Sequence, residues 1–262
     1  MRGWWQEIAG LVLPVDCAGC GAVRELVCAE CRSALSGAGE GPVRPSPRPA
    51  GLPGVRAAAV YEGAVRGLLL AHKERGALPL AGVLGAALAA AVLGGGTDGP
   101  GGPGGPGGPG GAAGPGGAED GGVVLVPVPS ARRQVRARGH DPARRIALTA
   151  AGRLRRAGVR ARVAPVLGLR RAVADQAGLG ARERRENLSG ALAVRRGARG
   201  LVPGGTRIVL VDDLITTGAT LTEAARAVRA AGLVTGPGEV LRAAVVAAPA
   251  DSFRRIGRVP RV

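Results

Sequence analysis

The clearest hydrophobic signal along the chain is Ile208-Val209-Leu210-Val211, an apolar run with no polar alternation that ends directly in Asp212-Asp213. Such a run, rich in β-branched residues, predicts a strand buried on both faces, as in a parallel sheet. Val123–Val126 has the same character and leads into Pro127-Val128-Pro129-Ser130; Glu239–Ala247 supplies the last expected strand. A helix is predicted after the acids: Thr220 and Glu223 fit a capping box, Leu221, Ala224, Ala225 and Val228 keep helical spacing, and Gly232 can close it. Asp141-Pro142 predicts another helix start, an N-cap acid with proline at the first helical position. The uncharged, Ala-rich run Ala77–Leu93 predicts a buried helix rather than a membrane span, because it is at the short limit and is interrupted by Pro79. The pattern as a whole predicts an α/β fold, a mostly parallel sheet with flanking helices over residues 123–262, with a helical segment at 55–93 packing on it.

Composition then divides the chain. Gly and Pro, 47 and 20 residues in all, concentrate in 94–122. Glycine recurs there every third residue, but too few triplets are present for a collagen-like triple helix, so the stretch reads as a linker. A net charge of +17 points to an anionic partner such as nucleic acid, phosphate esters or pyrophosphate. Lys73 is the only lysine, however, and an Arg, Ala and Gly excess of this kind also follows from genomic base composition. The four aromatic residues, Trp4, Trp5, Tyr61 and Phe253, are too few for a base-stacking groove. Met1–Leu13 has one early basic residue, contains Glu7 and lacks a small-residue cleavage site, so no secretory signal is read and a cytoplasmic location is expected.

All the cysteines lie in residues 1–40 as Cys17-x2-Cys20-x7-Cys28-x2-Cys31. Two such knuckles can bend around one ion, and four thiolates make the closed tetrahedral set that structural zinc prefers. A small zinc-ribbon-like or treble-clef-like module is expected. An iron–sulfur cluster uses the same ligands and stays open. No fifth ligand or neighbouring His suggests chemistry at this centre.

The candidate ligand site is Ile208–Thr220. Asp212 and Asp213 fall at the C-terminal end of a strand, where open α/β sheets bind ligands. The loop Thr216-Thr217-Gly218-Ala219-Thr220 then opens a helix. Backbone N–H groups at a helix N-terminus converge on a phosphate, and glycine lets the backbone approach closely. Adjacent carboxylates beside that loop can accept hydrogen bonds from a vicinal diol, as in ribose. A nucleotide-hydrolase loop of the form Gly-x4-Gly-Lys-[Ser/Thr] is absent, since the sole lysine lies in His72-Lys73-Glu74. Arg132, Arg133, Arg136 and Arg138 follow the Val123–Val126 strand and could receive pyrophosphate or form a solvated face; both readings stay open. Leu169–Asn187, polar and Gly-punctuated, reads as a mobile loop.

Ile208–Thr220 resembles the PRPP-binding signature of type I phosphoribosyltransferases. More of the chain is similar to the ComF family, the competence-protein branch of that superfamily: the four-cysteine module, Tyr61-Glu62-Gly63 with Leu68 and Lys73, Val126-Pro127-Val128-Pro129, Arg136–Gly139, and Gln176-Ala-Gly-Leu with Arg182, Arg185 and Asn187. The resemblance implies that Asp212 and Asp213 bind the ribose hydroxyls and serve as the catalytic pair, and that Thr216, Thr217, Gly218, Ala219 and Thr220 hold the 5′-phosphate. It further implies Mg²⁺ with PRPP, structural Zn²⁺ on the cysteines, and a hood over Arg171–Asn187. Arg133, Arg136, Arg138, Arg171, Gln176, Arg182 and Arg185 are the pyrophosphate and hood candidates. Family members are associated with uptake of transforming DNA, so single-stranded DNA or a DNA-uptake helicase are expected partners. A non-catalytic uptake accessory and a PRPP-sensing regulator are the alternatives to an enzyme. The chain departs from the family at His140-Asp141, where an aromatic-Asn pair is common; His140 is expected to do no more than sit at the helix start.

Overall fold

The computed structural model describes residues 16–36, 41–94, 122–171, 180–234 and 241–253. In chain order its elements are α1 (Ala29–Leu35), β1 (Gly41–Val43), β2 (Gly54–Val60), α2 (Gly63–Glu74), α3 (Ala81–Gly94), β3 (Val123–Pro127), α4 (Arg132–Arg138), α5 (Pro142–Arg156), β4 (Ala161–Val163), β5 (Leu167–Leu169), α6 (Ala181–Leu188), β6 (Leu192–Val194), β7 (Arg207–Leu214), α7 (Ala219–Ala230) and β8 (Arg242–Ala248). The main sheet has six strands in the order β1-β2-β8-β7-β3-β4. Every neighbouring pair is parallel except β1–β2. β5 and β6 form a separate antiparallel ribbon.

The apolar runs are buried on both sides because both faces of the sheet are covered. Val123, Leu125, Val209, Val211, Ala244 and Val246 face a core built with α2, α3 and α5. Val124, Val126, Ile208, Leu210, Ala243 and Val245 face the core built with α7 and the β5–β6 ribbon. α3 and α5 approach closely at Gly85, where an added Cβ would overlap Thr149, whose hydroxyl donates to Ala81 O at 2.7 Å. Asp141 caps α5, its carboxylate accepting from Arg144 N–H at 3.1 Å, with Pro142 in the first turn. Among the described residues no helix is long and apolar enough to cross a membrane.

Two expectations need correction. The segment 55–93 is not wholly helical, since Gly54–Val60 is a strand paired in parallel with β8. Alanine favours helices in isolation, but here Ala57, Ala58 and Ala59 are buried in the sheet beside the equally Ala-rich β8, and tertiary pairing overrides propensity. The sheet therefore begins before residues 94–122, which lie between two of its strands. The capping box at Thr220–Glu223 is also not formed. The helix starts two residues earlier, with Gly218 as N-cap at φ 76°, and Glu223 is buried and bonded elsewhere.

Candidate ligand site and cysteine centre

β3 passes through α4 and α5 to β4 on one side, and β7 passes through α7 to β8 on the other. The outgoing connections diverge between β3 and β7, which makes the C-terminal ends of those two strands the topological switch point of the sheet. Ligands of open α/β sheets bind in that crevice. Val128 N–H donates to Val211 O at 2.9 Å, which sets the turn after β3 directly beside the acid pair. Ile215 N–H donates to Ala247 O at 3.1 Å and pins the other side of the loop to β8.

β7 runs through the acid pair rather than stopping before it. The two carboxylates, equivalent in the sequence, are distinct in the fold. Asp213 is buried and pairs with Lys73, Nζ to Oδ2 2.8 Å. Burial alone would push its carboxyl up, but the Lys73 ammonium and its hydrogen bond reverse this and hold it below the ordinary carboxylate value. Asp212 is half-buried, and its Oδ1 accepts the Asp213 N–H at 2.9 Å. Burial and the neighbouring Asp213 charge push Asp212 well above its ordinary value, a rise opposed by the Lys73 charge and the Asp213 N–H. The site thus carries one firm carboxylate, one that resists ionisation, and one ammonium. It is well suited to accept hydrogen bonds from a diol or to share a cation that arrives with a ligand.

Thr216 is exposed, Thr217 and Thr220 are half-buried, and Gly218 and Ala219 are buried at the start of α7. Gly218 must be glycine on two counts: its φ is 76°, and a Cβ would lie 3.1 Å from Leu52 Cδ2 and 3.3 Å from Pro45 Cγ. Thr217 Oγ1 accepts from Ala219 N–H at 3.4 Å, and Thr222 Oγ1 donates to Gly218 O at 2.9 Å. Gly218 brings no side-chain cap, so beyond the Ala219 N–H that Thr217 takes up, the first turn can offer N–H groups to a ligand.

Lys73 is the site residue that sequence reasoning missed. It sits near the C-terminal end of α2, whose neighbouring residues are tied to the β3–α5 connection. Arg138 forms a bidentate pair with Glu74 at 2.9 and 2.7 Å, so this candidate pyrophosphate ligand is already engaged. His140 is buried rather than merely a helix-start residue: Nε2 lies 3.1 Å from His72 O and Nδ1 3.0 Å from Arg138 O. Burial holds the His72 imidazole below its ordinary value. The sequence signals were the adjacency of His72, Lys73 and Glu74 and the place of Lys73 in the stretch that resembles the ComF family, neither of which assigned it a partner.

The remaining candidates do not gather at the crevice in one set. Arg133 and Arg136 are exposed on α4. Arg171 Nη2 donates to Asn187 O at 2.8 Å and Ser189 O at 3.0 Å, closing the base of the 171–189 segment. Gln176 lies outside the described residues, and the side chains of Arg182 and Arg185 on α6 lie outside them too.

The four cysteine sulfurs all lie within 4.8 Å of one another. Cys20 and Cys28 Sγ are 3.6 Å apart, far beyond a disulfide bond and close to the edge of a tetrahedron with metal–sulfur distances of about 2.3 Å. Cys28 N–H points at Cys17 Sγ and Cys31 N–H at Cys28 Sγ, each at 3.4 Å. Burial raises the Cys17 thiol, but N–H donors from Cys28, Cys20 and Gly19 outweigh it and bring it down to about 6. Burial and the other sulfurs push Cys31 up. Four crowded sulfurs cannot all ionise unaided, so the set fits a cation that neutralises them, consistent with structural zinc. No strand occurs in residues 16–36; instead of a ribbon, two turns lead into α1, which Cys28 caps. The module is not separate from the main core. Cys17, Val27, Cys31 and Leu35 pack with α2 and α3, and a Cβ at Gly67 of α2 would lie 2.9 Å from the carbonyl oxygens of Ala18 and Gly19.

The fold and these two sites define a mixed α/β protein with a mostly parallel sheet, an acid-ended central strand and a four-cysteine cluster. The chain matches no protein-family model and no curated protein.

Proposed function

We propose that this protein binds a 5-phosphorylated ribose, PRPP or a close relative, in the crevice between β3 and β7, and acts as a ComF-like phosphoribosyltransferase. The observation that carries the reading is the joining of Asp212-Asp213, at a switch point of the sheet, to a helix whose N-terminus begins at the left-handed Gly218. The first-turn N–H groups and the threonine hydroxyls would hold the 5′-phosphate. Asp212, the less buried of the two, would accept from the ribose hydroxyls, while the Asp213 N–H fixes its carboxylate and Lys73 balances the pair's charge.

In transfer, an acceptor nucleophile bonds to C1′ on the face opposite the leaving group, the C1′–oxygen bond breaks, and pyrophosphate departs with the electron pair. The acceptor's proton passes to solvent. This chain's residues would contribute position and charge: donors on the phosphate, carboxylates on the diol and the Lys73 ammonium beside them. When bound with PRPP, Mg²⁺ neutralises pyrophosphate charge, and the partly compensated Asp212–Asp213 pair is a suitable neighbour for it.

The test is PRPP binding by calorimetry with Mg²⁺, beside a pyrophosphate-release screen over bases, nucleotides and DNA ends. Loss of a charge-assisted hydrogen bond predicts that Asp212→Asn or Asp213→Asn weakens PRPP by about 10- to 150-fold, roughly 1.5–3 kcal/mol. Unchanged affinity in both variants would sink the reading. Binding without release for any acceptor would make the protein a PRPP sensor or a DNA-uptake accessory.

A further inference from the structure

A second charged site lies away from the crevice. A cavity of about 380 Å³ opens between the β5–β6 ribbon, the turn after β6 and the C-terminal half of α7, and five arginines line it: Arg170, Arg195, Arg196, Arg199 and Arg226. Among the described residues no acid lines it. All five are exposed, and one guanidinium group, that of Arg226, is set in place by hydrogen bonds. Arg195 lies across Gly168, where an added Cβ would be 3.0 Å from its Nε and 3.2 Å from its Cγ. Arg226 is held by Glu223 at 2.7 Å through two nitrogens and also donates to Leu192 O at 2.9 Å.

From this geometry we infer that the cavity is a binding site for the phosphate chain of an oligophosphate, separate from the ribose-phosphate crevice. Guanidinium groups recognise phosphate oxygens bidentately, and several of them on one concave surface suit an anion with more than one phosphate. The lining offers no aromatic ring for a base, and the one nearby carboxylate, Glu223, is already bonded to Arg226 and to Leu192 N–H. The phosphate chain is therefore what the site reads. Its volume falls in the range of small-ligand cavities, which favours a compact anion over a polymer track. A bound anion would bridge the ribbon to α7, the helix whose other end forms the phosphate loop.

The test is calorimetry of the full chain with inorganic tripolyphosphate and with ATP, comparing R195A/R196A/R199A with the charge-matched R144A/R153A/R156A on the exposed face of α5. The cavity variant is expected to lose at least about tenfold in tripolyphosphate affinity while the α5 variant keeps it. Arg195→Glu, a single change that puts a carboxylate into the cavity, gives the same readout if the triple variant does not fold. Equal affinity for tripolyphosphate and ATP assigns the free phosphate chain as the source; markedly tighter ATP assigns a nucleotide, and both support the site. Equal losses in the two triple variants would reduce the effect to overall charge and overturn it. So would loss in Gly218→Ala with retention in the cavity variant, which assigns the anion to the phosphate loop. Binding of an oligothymidylate with none of tripolyphosphate would also overturn it, in favour of a nucleic-acid backbone.

Discussion

Lys73 Nζ lies 2.8 Å from Asp213 Oδ2, so the only lysine in the chain is spent on the acid pair of the central strand. Burial works against the lysine's charge, but Asp213 and then Asp212 hold its ammonium above the ordinary value. Without it, two adjacent carboxylates would face each other in a poorly hydrated crevice. Lys73→Met is expected to cost about 1–2 kcal/mol at neutral pH, less than a fully buried pair because the lysine is 36% exposed. The sign follows from the depressed Asp213 value: its contribution is complete above the unfolded carboxyl value of about 4 and is lost as pH falls through the lower folded value. Urea unfolding at pH 7 and at about pH 3, inside the window where the depressed carboxyl takes up its proton, should show the Lys73→Met deficit shrinking in acid. A deficit independent of pH would show that packing rather than charge accounts for it.

His72 predicts a second acid effect, in a different window. Its folded value is lowered by burial, so the unfolded chain takes up a proton first as pH drops below about 6.5, and stability falls there. Thermal melts between pH 7.5 and 5.5 should show this loss, and His72→Gln should flatten that part of the profile.

Gly218→Ala meets both the left-handed φ and the Leu52 and Pro45 side chains. The expected cost is about 1–3 kcal/mol in stability, with ribose 5-phosphate affinity falling further than stability does because the loop amides shift. Chemical denaturation and ligand titration on the same variant separate the two.

Glu223 accepts from Leu192 N–H at 3.0 Å and pairs with Arg226, joining α7 to the β5–β6 ribbon. Burial would raise its carboxyl, but the Arg226 hydrogen bonds keep it below the ordinary value. Glu223→Ala leaves a buried N–H without its acceptor and should lower stability by about 1–3 kcal/mol. Hydrogen exchange at Leu192 is the local readout, and it should speed up.

The cysteine centre predicts one metal ion per chain, measurable by a colorimetric chelator after thiol modification. Because Cys17, Cys31 and Leu35 share a core with α2, removing the metal should lower Tm for the whole chain rather than release a detached module. Two separate melting transitions, with the second unchanged, would contradict this.

Much was decided by the sequence alone. The continuous apolar runs at 123–126 and 208–211 required strands covered on both faces, and no partner is needed to say so. The Cys-x2-Cys pairs and the order acid, acid, Thr-Thr-Gly fixed which residues could hold a metal or a phosphate, because those chemistries depend on local spacing. Tertiary structure decided what local spacing cannot carry. Gly54–Val60 became a strand only because β8 lies beside it to take its hydrogen bonds, against the helical preference of its alanines. Glu223 left the predicted cap because Arg226 and the Leu192 amide offered a buried site with better compensation for its charge. Asp212 and Asp213, identical in type and adjacent in sequence, were separated by one long-range contact from Lys73, some 140 residues earlier in the chain. Long-range pairing of this kind is set by how helices lie on the sheet, which no window of sequence contains.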